Sequence, residues 1–534
     1  MFPSRTGLRL VARRVWQGSV IMANRRFARL AVGARDQWRR PGWWAALIAA
    51  AALAAAGCGG TGPPPSASPS SLPRTMLTAC TMAGRLAECG NVWVPQNWAD
   101  PAGPAMPLEV VVMPATTTRH PAAPLFYLAG YNGDNAGFGD AVLNGLNWAV
   151  QAFAQLNQTM DLVFVEQRGT AGSGLETCPG LQPASATVDP AAISAAARRC
   201  LASAGRDPRY DTTTAAVRDL DQVRRALGYD KINIYGPSYG VTLGLAYLQR
   251  YSSHVRTAVL DSGSLLPVPL WQQGAVHDQQ AFDQLAARCA ATPACAGSYH
   301  PAADLAAILA GLNAHPARVI IPGPGGQQQT VTITAVALLS FVSDYLGEAQ
   351  TAVQLPAILH ALALGQWSQV IARLGLTTAD LAPAGRTALQ AVTIECSDAW
   401  AAMNPATVSQ QGPSVFTLVV TAQAERLQAL CSAWPHDPGV SGTVRSTVPV
   451  VFLNGTTDTA DPPANVAGAT ATMPNALLVS VPGTGHWTLA NATHPGCLLA
   501  AATAFIQAGL PASPAAWDAC TRDLAQELVP FPAP

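Results

Sequence analysis

Alternation between short apolar runs and helix-spaced segments constrains the fold of this 534-residue chain more than any other feature. Apolar runs of strand length occur at 108–113, 124–128, 161–165, 231–235, 257–260, 448–453 and 476–481. Helical segments are expected between and after them, at 213–227, 239–251, 463–472 and 495–508. Strands that are apolar along their whole length are buried on both faces, which is typical of parallel strands flanked by helices. The sequence therefore predicts an α/β fold with a mostly parallel, doubly wound sheet.

The alternation is interrupted once, by a long segment rich in alanine, leucine and glutamine. This segment spans 265–445 and is expected to be mostly helical. Strand and helix patterns resume after it, so the simplest organisation is one α/β domain with a helical insertion. We therefore expect a core made of 78–264 and 446–534, with 265–445 forming a large helical cap.

The first 58 residues have the composition of an export signal. They contain ten arginines and one acidic residue, and an apolar run of about fifteen residues ends shortly before Cys58. A membrane-spanning helix needs ~20 apolar residues, so 1–58 is interpreted as a signal segment. Small residues before Cys58 resemble the lipobox of bacterial lipoproteins, which predicts an exported chain, either lipid-anchored through Cys58 or secreted after ordinary cleavage. Residues 59–77 have the composition of a flexible linker.

The remainder of the chain is acidic. Of 31 basic and 31 acidic residues in total, 21 and 30 lie outside 1–58, a net charge of about −9. An acidic chain argues against nucleic-acid binding. No C-x-x-C or H-E-x-x-H motif occurs, so the sequence predicts neither a metal site nor a cofactor.

Ten cysteines follow the signal segment, and an even number in an exported chain predicts disulfides. They are Cys80, Cys89, Cys178, Cys200, Cys289, Cys295, Cys396, Cys431, Cys497 and Cys520. They fall into five pairs that are close in sequence, so pairing between neighbours is the simplest connectivity. The sequence leaves other connectivities open.

One serine stands between two glycines where a predicted strand meets a predicted helix, in the segment Gly236-Pro237-Ser238-Tyr239-Gly240. A strand that turns sharply into a helix needs residues without bulk beside the turn, and the serine at its apex is strained and exposed. This is the context of a nucleophile elbow, in which the N–H of the next residue, Tyr239, points at a developing oxyanion. An inert serine in a tight turn is the alternative interpretation.

A serine hydroxyl needs a general base, and the base needs an acid that orients it. The motif predicts the chain order serine, acid, histidine, with both partners just past sheet strands. Asp458 follows the strand at 448–453, and His486 follows the strand at 476–481. Asp461 is the second candidate acid, with a helix N-cap as its alternative role, and His494 is the second candidate base.

A second oxyanion donor is expected in the loop after the strand at 124–128. That loop reads Ala129-Gly130-Tyr131-Asn132-Gly133-Asp134, and the backbone N–H of Tyr131 is the candidate.

These motifs resemble the α/β-hydrolase peptidases that include proline iminopeptidase and the secreted tripeptidyl aminopeptidases of actinobacteria and mycobacteria. The resemblance covers roughly 78–525 and is carried by Gln167-Arg168-Gly169-Thr170, Tyr235-Gly236-Pro237-Ser238-Tyr239-Gly240, Asn454-Gly455-Thr456-Thr457-Asp458 and Pro482-Gly483-Thr484-Gly485-His486. It implies an α/β-hydrolase fold, places the nucleophile, acid and base on Ser238, Asp458 and His486, and implies a C-terminal pair of Cys497 with Cys520. The family usually has a G-G-P-G loop where this chain has Gly130-Tyr131-Asn132-Gly133.

The resemblance implies an exported serine aminopeptidase that acts on peptides, and an aminopeptidase must bind a free ammonium group. Glu395 and Asp398 in the cap are the candidate partners for it, with solvation or local pairing to an arginine as the alternative. Glu166 is expected to pair with Arg168. An esterase or lipase with the same triad, acting on esters, and an inactive binding protein remain open as other functions. The oligomeric state also remains open.

Overall fold

The computed structural model describes residues 76–533, apart from 118–122, 132–136, 182–188, 270–271, 324–325, 377–385 and 400–402. The predicted signal segment 1–58, the lipidation candidate Cys58 and nearly all of the linker 59–77 lie outside the described residues. In the described part of the chain, no helix has the length and apolar character needed to cross a membrane.

Both kinds of secondary structure are numbered here in chain order. The strands are β1 (Met76–Met82), β2 (Arg85–Pro95), β3 (Ala105–Met113), β4 (Leu125–Tyr127), β5 (Leu162–Val165), β6 (Thr177–Pro179), β7 (Ile232–Pro237), β8 (Val255–Asp261), β9 (Ala317–Pro322), β10 (Gln328–Ile333), β11 (Arg386–Ala388), β12 (Val450–Gly455) and β13 (Ala476–Val481). The α-helices are α1 (Leu146–Ala152), α2 (Pro190–Ser203), α3 (Thr213–Ala226), α4 (Tyr239–Tyr251), α5 (Gly274–Ala291), α6 (Pro293–Ala296), α7 (Pro301–Ala314), α8 (Ala335–Leu346), α9 (Ala349–Ala352), α10 (Leu355–Ala363), α11 (Trp367–Leu374), α12 (Leu389–Ile394), α13 (Thr417–Cys431), α14 (Thr488–Asn491), α15 (Gly496–Ala508) and α16 (Pro514–Gln526).

The described residues form one large sheet with the strand order β1-β2-β3-β5-β4-β7-β8-β12-β13. The six strands from β5 to β13 in this order run parallel, and β1, β2 and β3 pair antiparallel at one side. Side chains of a strand alternate between the two faces of a sheet. In β12, Val450 and Phe452 enter one apolar cluster, and Val451 and Leu453 enter another. Both faces are thus buried, which confirms the predicted α/β fold with a mostly parallel sheet.

Helices cover both of these faces. Residues of α3 and α4 pack in the first cluster, and residues of α1, α15 and α16 pack in the second. Both clusters draw on the strands that end at the candidate catalytic loops, so packing on either face fixes where those loops begin.

The cap has its own apolar cluster, built from helix α5, helices α7 to α13 and the small sheet of β9 with β10. The segment with β6 and α2 belongs to the same cluster, and β6 pairs antiparallel with β11. The sequence interpretation placed this segment in the core because it precedes residue 265. Its packing partners instead lie more than 150 residues later in the chain.

Two other elements differ from expectation. The hairpin of β1 with β2 was not predicted, since seven of the eleven β2 residues keep solvent contact and its apolar run is broken. The predicted helix at 463–472 is reduced to two short 3₁₀ turns, Pro463–Val466 and Ala469–Ala471. Gly468 separates these turns, and a glycine inside a helix costs about 1 kcal/mol relative to alanine.

All ten cysteines after residue 58 form disulfides between sequence neighbours. The bonds are Cys80–Cys89, Cys178–Cys200, Cys289–Cys295, Cys396–Cys431 and Cys497–Cys520. The simplest connectivity is therefore confirmed, including the C-terminal pair implied by the resemblance.

The expected ion pair of Glu166 with Arg168 is wrong. The fully buried guanidinium of Arg168 instead binds both carboxylate oxygens of Asp219 on α3, at 2.6 and 2.7 Å. Glu166 accepts hydrogen bonds from the backbone N–H groups of Val142 and Leu143, at 2.8 and 3.0 Å. The buried charge of Arg168 is thus paired, whereas burial and the neighbouring Asp140 raise the pKa of Glu166 and favour its neutral form.

Candidate active site

Ser238 lies at the junction between β7 and α4 in a conformation that side chains rarely adopt, with φ of 55° and ψ of −123°. Strand and helix approach so closely there that a side chain on Gly236 would overlap the carbonyl of Gly240. A side chain on Gly240 would overlap the carbonyl of Leu128 at the end of β4. The two glycines therefore permit the turn, and the conformation of Ser238 agrees with a nucleophile elbow.

His486 and Asp458 meet at the same edge of the sheet. The Nδ1 atom of His486 lies 3.1 and 3.0 Å from the two carboxylate oxygens of Asp458. Asp458 is fully buried, and one of its oxygens also accepts from the backbone N–H groups of Ala460 and Asp461. Because the carboxylate holds Nδ1, the other ring nitrogen of His486 is left for proton transfer.

Charge around the imidazole favours its protonated form. Burial opposes the positive charge, but Asp458, with smaller contributions from Asp461 and Asp261, raises the pKa of His486 to about 9. Conversely, burial disfavours the Asp458 carboxylate, yet His486 and the two amide hydrogen bonds hold its pKa below the usual value. The acid of the pair thus stays ionised while the histidine titrates.

The second candidate acid, Asp461, supports the pair from the side. Its carboxylate lies 3.9 Å from Nδ1 of His486 and accepts a hydrogen bond from the hydroxyl of Ser264. Desolvation and the charge of Asp458 raise the pKa of Asp461 to about 6. The alternative role of Asp461 as a helix N-cap is wrong, because its carboxylate oxygen binds a side chain of another loop instead.

The loop after β4 lies against the serine. A Cβ atom built on Gly130 would lie 3.0 Å from Cβ and 3.5 Å from Oγ of Ser238. The carbonyl of Gly130 accepts from the backbone N–H of Gly139 at 2.9 Å, and Tyr131 forms a β-bridge with Phe138. Tyr131 therefore begins the loop beside Ser238, whereas Asn132 and Gly133 lie outside the described residues.

A cap residue that the sequence did not single out holds this loop in place. The side-chain amide of Gln390 on α12 accepts from the N–H of Phe138 at 3.0 Å and donates to its carbonyl at 2.8 Å. Gln390 is fully buried. The cap is thus connected by two hydrogen bonds to the loop that carries the candidate oxyanion donor.

The hydroxyl of Tyr239 joins the elbow to the cap in a second place. It lies 2.7 Å from the hydroxyl of Thr213, which donates to Asp398, and it accepts from Gln167 at 3.0 Å. Asp398 also accepts from the backbone N–H of Val440 at 3.1 Å. Desolvation raises the pKa of Asp398 to about 6.

The two cap acids predicted to bind an ammonium group are therefore already engaged. Glu395 pairs with Arg426 at 3.3 Å, which is the local arginine pairing given as the alternative. Asp398 belongs to the hydrogen-bonded chain that ends on Tyr239. These contacts favour internal roles for both carboxylates.

Another acid of the cap, Glu348, lies close to His486, the candidate base. The N–H of His486 donates to the carbonyl of Gly347, directly after α8, at 2.8 Å. The next residue, Glu348, is half-buried, and burial raises its pKa while the charge of His486 opposes the rise. Asp344, one turn earlier, keeps contact with solvent although the surrounding protein, with Asp278, raises its pKa to about 7. Glu348 is therefore the cap acid whose charge is coupled to that of His486.

The second candidate base lies elsewhere. His494 is exposed and lies 3.3 Å from Glu527. Within the described residues, no group of three or more histidine, cysteine or acidic side chains is arranged to hold a metal ion.

Comparison with known proteins agrees with this architecture. The family described as alpha/beta hydrolase fold matches residues 135–493. A tripeptidyl aminopeptidase of Streptomyces lividans is 32% identical over 192 residues, which are 33% of this chain and 35% of the relative. The serine protease Hip1 of Mycobacterium tuberculosis is 28% identical over 239 residues, which are 40% of this chain and 44% of the relative. The alignments thus span less than half the length of these curated relatives.

Among solved structures, a proline iminopeptidase of Mycobacterium smegmatis aligns with 79% of this chain and 98% of its own length. The identity is 14% and the TM-score is 0.37.

Replacing Asp458 by asparagine should lower the pKa of His486, because the largest charge that favours the imidazolium is removed. We expect the His486 resonance of ¹³C-histidine-labelled protein to titrate near pH 9 in the native chain, and at clearly lower pH in Asp458→Asn. Asp304→Asn, which removes the carboxylate beside His360 on the cap, is the matched control and should leave the His486 midpoint unchanged. A native midpoint at or below that of free histidine would contradict this electrostatic account.

Proposed function

From the premise that the chain belongs to the α/β-hydrolase family, we propose that it is an exported serine hydrolase that cleaves short peptides from free N-termini. One observation supports the chemistry most strongly. A serine in the strained elbow conformation shares its sheet edge with a histidine that is held at Nδ1 by a buried carboxylate.

In the proposed reaction, the free ring nitrogen of His486 takes the proton of the Ser238 hydroxyl as Oγ attacks the scissile carbonyl. The oxyanion that forms is bound by the backbone N–H groups of Tyr239 and Tyr131, and one such donor is worth roughly 3 kcal/mol. His486 then gives its proton to the leaving amine, and an acyl-enzyme remains on Ser238. Water, activated by His486 in turn, releases the acyl group.

Asp458 orients and stabilises the imidazolium throughout and keeps its negative charge, consistent with its lowered pKa. Gln390 and the chain from Asp398 to Tyr239 connect the cap to both oxyanion donors. Any movement of the cap would therefore reach the loops that are proposed to bind the transition state.

We assign recognition of the substrate ammonium group to Glu348, assisted by Asp344, rather than to Glu395 and Asp398. Glu348 directly follows the residue whose carbonyl binds the N–H of His486, and its carboxylate interacts electrostatically with the imidazole. A carboxylate in a partly desolvated cleft binds a cationic amine more strongly than one at an open surface. A chain that recognises a free N-terminus needs such a group at a fixed distance from the nucleophile.

Export is proposed from the composition of 1–58, with Cys58 as the lipidation site and 59–77 as a linker to the membrane. Five disulfides support a location outside the reducing cytoplasm. In the domain organisation we propose, 446–534 and 78–264, without the segment that contains β6 and α2, form the core. The cap of 265–445 is completed by the segment with β6 and α2.

The substrate class can be tested with tripeptidyl- and aminoacyl-anilides, each with a free or blocked N-terminus, beside short-chain esters. We expect turnover of the free-amine anilides and loss of at least about 1000-fold in kcat for Ser238→Ala, whose fold should remain intact by circular dichroism. Turnover of esters alone would assign the same triad to an esterase. A fully active Ser238→Ala variant would contradict the mechanism, and an inert native chain would favour a binding protein.

Replacing Glu348 by glutamine should raise KM for free-amine anilides by roughly 10- to 100-fold, because a hydrogen bond to a charged partner contributes about 1.5–3 kcal/mol. Blocked substrates and esters should be unaffected, since they carry no ammonium group. Glu395→Gln is the matched control and should leave the ratio of free to blocked turnover unchanged. A selective loss in Glu395→Gln instead would return the amine site to the residue first predicted.

A further inference from the structure

One buried carboxylate that the sequence interpretation passed over lies between the catalytic loops. Asp261 is the last residue of β8, the strand between β7, which leads to Ser238, and β12, which leads to Asp458. Its side chain is fully buried. A charged group in such a place needs several hydrogen bonds to be tolerated.

Its carboxylate is bound mostly by the segment just after the catalytic histidine. The backbone N–H groups of Thr488 and Leu489 donate to it at 2.8 and 3.0 Å, and the Thr488 hydroxyl donates as well. The hydroxyl of Tyr235 on β7 donates at 2.9 Å. Tyr235 in turn accepts from the indole N–H of Trp487 at 2.9 Å. Thr488 and Leu489 thus bind the Asp261 carboxylate directly, and Trp487 is linked to it through Tyr235.

The backbone of residues 261 and 262 also binds the segments that carry Ser238 and Asp458. The carbonyl of Asp261 accepts from the N–H of Ser238 at 2.8 Å. The N–H of Ser262 donates to Leu453 on β12 at 2.6 Å, and its hydroxyl accepts from the N–H of Trp487 at 2.8 Å. Ser262 has a φ of 58°, an uncommon conformation for a residue other than glycine. The strained residue Ser262 is thus the one that binds both β12 and Trp487.

We infer that Asp261 is a positioning residue that holds the His486 loop in register with the nucleophile Ser238. The inference rests on the proposed function, since it assumes that these two residues react together. It assigns to Asp261 no contact with substrate. Its effect passes through the backbone of residues 487–489 and through the field of its charge at the imidazole.

The charge gives a readout that a merely structural residue would not produce. The carboxylates that favour the charged form of His486 are Asp458, Asp461 and Asp261, and His486 also interacts with Glu348 of the cap. Loss of the Asp261 charge should therefore make His486 easier to deprotonate. A base that is neutral at lower pH moves the acid limb of kcat/KM toward lower pH.

The test is Asp261→Asn in the full chain, with kcat, KM and the pH profile measured on a free-amine peptide anilide. We expect kcat to fall by roughly 10- to 100-fold, since displacement of a catalytic group by about 1 Å is enough for such a loss. KM should change little, because Asp261 is not in contact with substrate, and the acid limb should move to lower pH. Tyr235→Phe, which removes one donor and keeps the charge, should lower kcat less and leave the limb in place.

A native kcat and an unmoved acid limb in Asp261→Asn would overturn the inference. A reduced kcat with an unmoved limb would also overturn it, because Asp261 would then be only structural. If Asp261→Asn does not fold, kcat is measured instead in the double variant Tyr235→Phe with Thr488→Val, which removes two hydrogen-bond donors to Asp261. A native kcat in that variant would contradict the inference.

The His486 midpoint measured by NMR separates this inference from the proposed function. That midpoint can be measured without turnover. A native chain that is inactive on every substrate would therefore contradict the proposed function but not this inference. A lower midpoint in Asp261→Asn than in the native chain would still support the coupling between Asp261 and the imidazole.

Discussion

The close approach of β7, α4 and the end of β4 is the constraint on which the rest of the site depends. Gly236 and Gly240 leave room for backbone against backbone, and only under that condition can Ser238 adopt its left-handed conformation. The same approach brings Gly130 against the serine. The position of Ser238, the proposed nucleophile, and that of the loop proposed to stabilise the oxyanion thus depend on one packing contact.

The parallel strands bring the other proposed catalytic residues to the same edge of the sheet. The carboxyl ends of β7, β8, β12 and β13 lie at one edge of the sheet, and each is followed by a polar group of the site. Because these strands are packed on both faces, their ends have little freedom to move. The loops can carry strained residues such as Ser238 and Ser262 because the surrounding hydrogen bonds hold them. The cap adds Gln390 and the carbonyl of Gly347, so it contacts the loop beside Ser238 and the His486 loop directly.

Local signals were enough to predict most strands and helices of the core. The strand at 476–481 and the helix at 239–251 have the predicted bounds, since both have strong periodicity and end at glycine or turn residues. The approach of Asp458 to His486 followed from the rule that parallel strands end at one edge. The disulfides followed from proximity in sequence. The catalytic roles of Ser238, Asp458 and His486 remain predictions.

Partners that are distant in sequence could not be predicted. Nothing local shows that Arg168 binds Asp219 rather than Glu166, that Glu395 meets Arg426, or that β6 joins the cap. Such pairings are decided when helices dock, and several carboxylates compete for each cation. Asp261 could have been found, since it directly follows a predicted strand, but the rule that located Asp458 does not indicate which loop an acid will hold.

The central claim is that His486 activates Ser238 for attack on an acyl carbon. It is tested most directly by the rate at which a fluorophosphonate modifies the intact protein, with the modified peptide located by mass spectrometry. The account predicts a single adduct on Ser238 and a rate at least about 100-fold lower in His486→Gln, whose general base is missing. An adduct on another residue, or an equal rate in His486→Gln, would contradict it.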